Sequence, residues 1–189
     1  AFKVGDIEDA QAEMDVKGSQ AQRSAYGLKK ACDTYIMGLY TGAGKTATTA
    51  TVTSANVLSV LGNYAQLLME SNVDESDMWM VVPPWFKIKM ELAGIKFQVN
   101  NGLNGKGSMA WTDQLGFDIY VSNQVVNTGT VEVPVSQIMG GSGMAIAFAD
   151  QINETETLRA IDTFDDLVRG LHNYGARVIK PLELVAGAM

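Results

Sequence analysis

One cysteine, Cys32, and one histidine, His172, stand in a chain of 189 residues. A lone thiol excludes an internal disulfide framework and a cysteine metal cluster. A lone imidazole means that every triad or histidine general-base scheme must pass through His172. Basic residues are also scarce: 14 Lys and Arg face 21 Asp and Glu, for a formal net charge of −7. They are scattered, with Lys29-Lys30 the only adjacent pair. That argues against sequence-specific nucleic-acid binding, which needs clustered cations to displace phosphate counterions. Long apolar runs are missing as well. The longest uncharged apolar stretch, Met78 to Phe86, is interrupted by Pro83 and Pro84 and is far too short to span a bilayer. No basic-then-apolar leader opens the chain, so the reading is a soluble protein compatible with cytoplasm, with no membrane partner.

Hydrophobic residues make up 47% and charged residues 19%, an ordinary globular composition with enough length for one domain or two small lobes. Ala10 to Tyr40 reads as one long helix, because Ala21, Ala25, Leu28, Cys32, Tyr35, Ile36 and Leu39 recur every three or four residues. Thr41 to Ser54 is a Gly, Ala and Thr-rich connection. A second helix follows to Glu70, capped by Ser54 or Asn56, with Val57, Leu61, Tyr64 and Leu68 on one face. After an acidic turn, Met78 to Val82 is a short buried strand. Pro83-Pro84 then opens a helix that carries Trp85, Ile88 and Leu92 and ends at Gly94.

From Ile95 onward the expected elements are strands: Lys96–Val99, Phe117–Ser122, Val131–Val135, Ala145–Ala149, and Leu158 to Ile179 with an acidic interruption at Asp162 to Asp166. Helices first and strands later, without strand–helix–strand alternation, give an α+β fold. In the last strand Val168, Leu171, Tyr174, Val178 and Ile179 interleave with Arg169, Asn173, Arg177 and Lys180. That is the pattern of a long half-buried strand, with Gly170 and Gly175 as places for a kink or bulge.

Motifs that approach catalytic chemistry each miss a required residue. Gly44-Lys45-Thr46 ends like a phosphate loop, but Leu39 stands where the first glycine belongs, and a helix precedes it instead of a strand. Gly140-Gly-Ser142-Gly143 approaches a nucleophile elbow, yet Met144 replaces the last glycine; the run reads as a glycine turn between antiparallel strands. Asn72-x-Asp74-x-Ser76 begins like a calcium loop, but Asp77 and Pro83 occupy its glycine and glutamate positions. No catalytic, cofactor or metal residue is therefore assigned. A small α+β nucleotide-binding enzyme using Lys45 or His172 is the weakest alternative.

Five blocks, taken in order, resemble the tailed-bacteriophage major capsid (coat) protein family. They are Phe2 to Ala12 leading into Ala25-Tyr-Gly-Leu28, Trp79 to Phe86, Gly116 to Asn123, Ala145 to Ile152, and Asp165 to Pro181. The resemblance implies a phage major capsid fold with a long spine helix, a peripheral domain (13–94 and 150–189) and a mainly antiparallel axial domain (95–149). Residues 1–12 would be the remnant of an extended loop lying over a neighbouring subunit. It implies a homo-oligomer of hexamers and pentamers forming an icosahedral shell around phage DNA, assembled in the bacterial host cytoplasm and ending in the virion. Scaffold, portal and decoration proteins would be its partners. Lys3, Asp6, Glu8, Asp9, Arg23, Arg169 and Arg177 are the candidate intersubunit contacts. An encapsulin-like compartment shell shares the fold and is the second reading. Ala1 falls inside an expected strand with no initiator Met, so the chain reads as truncated or processed.

Overall fold

In the computed structural model, residues 2–5, 16–94, 108–110, 116–130, 135–159 and 165–189 are described. Strand β1 (Phe2–Gly5) is followed by helix α1 (Val16–Met37), a 3-10 turn (Gly38–Gly42) and β2 (Lys45–Thr46). Helix α2 (Val57–Met69), β3 (Met78–Val82) and α3 (Pro84–Leu92) come next. The remaining strands are β4 (Ser108–Ala110), β5 (Phe117–Val121), β6 (Gln137–Ser142), β7 (Ile146–Arg159), β8 (Asp165–Val178) and β9 (Leu184–Ala188). The fold is α+β, as expected.

The chain forms two compact units. Unit 1 holds residues 1–33 and 148–176; unit 2 holds 34–147 and 177–189. Helices α2 and α3 share unit 2 with strands β3 to β6. Unit 2 is built on a six-stranded sheet in the order β2-β9-β6-β3-β5-β4. Three of its pairings are antiparallel (β3–β6, β4–β5, β6–β9) and two are parallel (β2–β9, β3–β5). Strands β3 and β5 pair in parallel, and the chain between them holds α3 and β4. A helix does therefore stand between two parallel strands, contrary to the expectation of no strand–helix–strand alternation.

The core of unit 2 lies between this sheet and its helices. Val57, Leu61, Tyr64 and Leu68 line the inner face of α2 as the periodicity predicts, against Met80, Phe117, Ile119 and Ile138 of the sheet. On α3 the apolar residues named from the sequence are not the buried ones, Trp85 alone being half-buried. Phe86 and Met90 are fully buried, whereas Ile88 and Leu92 are 55% and 69% exposed. Phe86 and Met90 are four apart, so either stripe satisfies the helical period, and packing selects between them. Gly116 enters β5 with φ +66°, and a Cβ there would run into the Glu75 carbonyl, so only glycine fits without strain.

Unit 1 is a three-stranded sheet, β1-β8-β7, with most of α1. Strand β1 pairs antiparallel with β8, Phe2 opposite Val168 and Gly5 opposite Asp165. Several boundaries differ from the sequence reading. The α-helical geometry of α1 stops at Met37, where Gly38 tightens the chain into a 3-10 turn, and residues 10–15 lie outside the described residues. Ala145 sits in the bend before β7, and that strand runs on to Arg159. Leu158 therefore ends one long strand instead of starting the next, and the closing strand begins at Asp165. Strand β8 continues through Gly170 and Gly175, neither at positive φ, so neither ends the pairing.

The glycine turn was expected across Gly140–Gly143, but Gly140 and Gly141 lie inside β6 and only Gly143-Met144 turns. Strands β2, β4, β6 and β9 were not anticipated; β6 and β9 are short and rich in small residues, with little alternation to read. The expected strand Lys96–Val99, and residues 131–134 of Val131–Val135, lie outside the described residues, while Val135 is outside any strand.

Candidate assembly surfaces

Burial divides the two units sharply. Among the described residues every buried side chain but one belongs to unit 2; the exception is Cys32. Helix α1 carries the apolar stripe that the spacing predicts, yet every residue from Ala21 to Ala31 is exposed. Tyr26 is 70% and Leu28 48% exposed. Leu28 lies on the stripe and Tyr26 on the opposite side; over Ala21 to Ala31 both sides are wet, while Cys32 is buried and Ile36 half-buried further along. The turns from Ala21 to Ala31 therefore gain little from packing, the main source of helix stability. At about 1.5 Å per residue its 22 residues extend about 33 Å.

The sheet of unit 1 is equally open. Along β8 the described side chains alternate: Arg169, Asn173 and Arg177 are exposed, and Val168, His172, Tyr174 and Val178 are only half-buried. Among the described residues β8 is the one strand partner of β7, and Phe148 and Leu158 on β7 are 45% and 41% exposed. The other edge of β7 pairs with no described strand, and an edge of that kind recruits further chains to a sheet.

The family model for phage capsid protein matches residues 5–187. The chain belongs to the phage capsid protein family. This capsid protein is similar in fold to a solved structure of Mycobacterium phage Che8, with a TM-score of 0.77 and 24% identity over 98% of this chain and 68% of that one. The capsid of cyanophage P-SCSP1u aligns with 98% of this chain and 69% of that one, at a TM-score of 0.68 and 15% identity. The holo-SrpI encapsulin complex from Synechococcus elongatus aligns at a TM-score of 0.65 and 11% identity, covering 98% and 70% of the two chains. No curated protein matches the chain by sequence.

The candidate contact residues fall in different settings. Lys3 lies on β1 opposite Leu167, while Asp6, Glu8 and Asp9 lie outside the described residues. Arg23 is on the exposed part of α1, and Arg177 is exposed near the end of β8. Arg169 is also exposed, but its Nε and Nη2 both donate to Glu156 Oε2, at 2.8 and 2.6 Å. An exposed pair of this kind contributes little to the monomer. It does hold the guanidinium in one place.

The residues of the catalytic near-misses have structural partners. Lys45 donates to the Leu67 carbonyl at 2.7 Å, satisfying one of the last carbonyls of α2. Ser142 donates to Glu183 Oε2 at 2.6 Å and Lys180 donates to Glu183 Oε1 at 2.8 Å. Those two hydrogen bonds hold the Glu183 carboxyl below the usual carboxylate range, the lysine first. Asp74 accepts from both the backbone N–H and the hydroxyl of Ser76, at 3.0 and 2.9 Å, which lowers its carboxyl and closes a turn. A groove of about 450 Å³ bordered by Lys45, Glu70, Lys180 and Glu183 is open and mixed in charge.

His172 reaches partners on two other elements. Its Nε2 lies 2.5 Å from Asp150 Oδ1, and its Nδ1 lies 3.9 Å from the Cys32 sulfur. Sequence reasoning singled out His172 without finding either partner, because they stand 22 and 140 residues away along the chain.

Proposed function

We propose that this chain is a structural subunit that assembles into hexamers and pentamers of an icosahedral shell enclosing phage double-stranded DNA. The observation that carries the reading is the exposed, apolar-striped helix α1 in a unit with one buried side chain among its described residues. Such a unit gains its missing burial from neighbouring copies. Covering Tyr26 and Leu28 would each contribute about 1–2 kcal/mol, repeated at every copy of the contact. Head-to-tail contacts of this type close into rings, and a second contact type links rings into a shell.

Unit 1 is read as the peripheral domain and unit 2 as the axial domain, a division that follows the compact units. The acidic segment holding Asp6, Glu8 and Asp9 would meet a neighbour, and the basic groups of Arg23, Arg169 and Arg177 offer it complementary charge. Lys3 lies at the base of that segment. A net charge of −7 suits a wall that encloses DNA without gripping it. Scaffold, portal and decoration proteins would be the other partners, with assembly in the host cytoplasm and the virion as destination.

The fold likeness to an encapsulin supports a second reading, a shell around a protein cargo. Electron microscopy of the protein expressed with its neighbouring genes tests both. Shells containing DNA support the first reading, shells containing protein the second, and a monomer at high concentration defeats both. Reversing the charges of Asp6, Glu8 and Asp9 is expected to lower particle yield while leaving monomer folding unchanged.

A further inference from the structure

Where methionine side chains are described in unit 2, most are sealed away. Met37, Met78, Met80, Met90 and Met139 are each at most 8% exposed, and Met69 is 37% exposed. Met144, in the turn between β6 and β7, is 68% exposed. A methionine usually fills an irregular gap in a core, and a side chain this open to solvent fills none.

The sulfur of Met144 nevertheless has a partner. Lys180 Nζ points a donor at it from 3.9 Å and also donates to Glu183 Oε1 at 2.8 Å. The backbones meet at the same place, because the Ile179 and Lys180 N–H groups both donate to the Ala145 carbonyl, at 2.9 and 3.3 Å. The Met144 N–H donates to Ser142 Oγ at 3.3 Å, which holds the turn in place. A positioned ammonium is thus aimed at a thioether, a weak acceptor. An oxygen carried on that sulfur would be a much stronger one.

We propose that Met144 is a modification site for hydrogen peroxide, and that the Lys180 ammonium receives the sulfoxide oxygen. A sulfur lone pair attacks one peroxide oxygen, the S–O bond forms and the O–O bond breaks. The sulfur is oxidised by two electrons and the peroxide is reduced; the departing hydroxide takes the proton of the transferred oxygen and leaves as water. In a core this change puts a polar group among apolar ones and disrupts packing. Met144 is exposed, so the fold absorbs it, and the rotatable bonds of the side chain let the new oxygen turn to Nζ. An ammonium has three donors, so Lys180 binds that oxygen while keeping Glu183. The charge-assisted bond ties the turn to the end of β8 and sets a polar group beside Ile179 and Leu182, which are 61% and 64% exposed. A methionine sulfoxide reductase would restore the thioether. The site lies within unit 2 and does not depend on the shell reading.

Dilute hydrogen peroxide on the purified full chain, followed by peptide mass mapping over time, tests the first half. Met144 should be oxidised faster than Met69 and at least about tenfold faster than Met139. A rate no greater than that of either one overturns the site. Backbone hydrogen exchange before and after peroxide tests the second half. Protection of the Ile179 and Lys180 amides should rise at least about threefold on oxidation. The rise should be absent in Met144→Leu, which has no sulfur to oxidise, and in Lys180→Ala, which has no donor. No rise in the wild type, or the same rise in either variant, overturns the role of Lys180. If Lys180→Ala does not fold, Lys180→Arg keeps a cationic donor and must keep the rise; its loss there also overturns that role.

Discussion

Tyr64 and Gly187 offer a sharp test of how unit 2 is packed. Tyr64 is fully buried on α2, and its hydroxyl donates to the Ile138 carbonyl at 3.0 Å. Gly187 sits on β9 directly opposite Ile138, and a Cβ added there would stand 2.5 Å from that hydroxyl oxygen. It would also be 3.0 Å from the Ala47 Cβ and 3.2 Å from the Met189 Cε. Tyr64→Phe removes one donor from a buried carbonyl and should cost about 1.5 kcal/mol. Gly187→Ala overpacks the same spot and should cost about 2 kcal/mol, less whatever it gains by restricting the unfolded chain.

In the double variant the worst clash disappears with the hydroxyl. That leaves the Met189 contact, which its flexible end relieves, and the 3.0 Å approach to the Ala47 Cβ, which a small shift must absorb. The double variant should therefore be more stable than the sum of the singles by about 1 kcal/mol. Urea unfolding followed by circular dichroism, with slopes compared among the four proteins, measures this coupling. Additivity to within about 0.3 kcal/mol would show that the helix-to-sheet spacing at Tyr64 is not as described.

Burial also pushes the Tyr64 phenol up, so the folded state keeps its proton above the unfolded phenol range. Its contribution is complete below that range and is lost as pH rises through it, so wild-type stability should fall in alkali more steeply than that of Tyr64→Phe. The lowered carboxyls of Asp74 and Glu183 act in the opposite direction. The stability they give is present above the ordinary carboxylate range and fades as pH falls; thermal melts of Ser142→Ala should show a weaker acid dependence than wild type. Phe86→Ala, at a fully buried position on α3, should cost about 3–5 kcal/mol by denaturant titration. Tyr26→Ser with Leu28→Ser should abolish particles in electron micrographs, with the melting temperature of the unassembled protein unchanged, because both side chains are already exposed in it.

Local signals in the chain were readable where the period was long and the punctuation clear. Helix α2 and its inner face, the Pro83-Pro84 start of α3 and strands β3 and β5 follow from spacing, proline and glycine alone. So does the half-buried alternation of β8, and the ordered blocks of resemblance point to the capsid family. Strands β6 and β9 were not legible, because Gly140, Gly141 and Gly187 are chosen for close approach of neighbouring backbones and leave no alternation to read. The choice between Phe86 with Met90 and Ile88 with Leu92 was equally closed to the sequence, since both pairs have the same spacing.

By itself the sequence determined the α+β class, the presence of a striped helix and the absence of any clustered basic face, because these depend on composition and short-range periodicity. Tertiary structure decided where that stripe goes. It gave unit 2 an apolar interior, left residues 21–31 of α1 exposed, and brought Asp150, His172 and Cys32 together from distant points of the chain. The physical reason is that periodicity reports which side of an element prefers to be dry, while only the three-dimensional arrangement says whether anything is there to dry it.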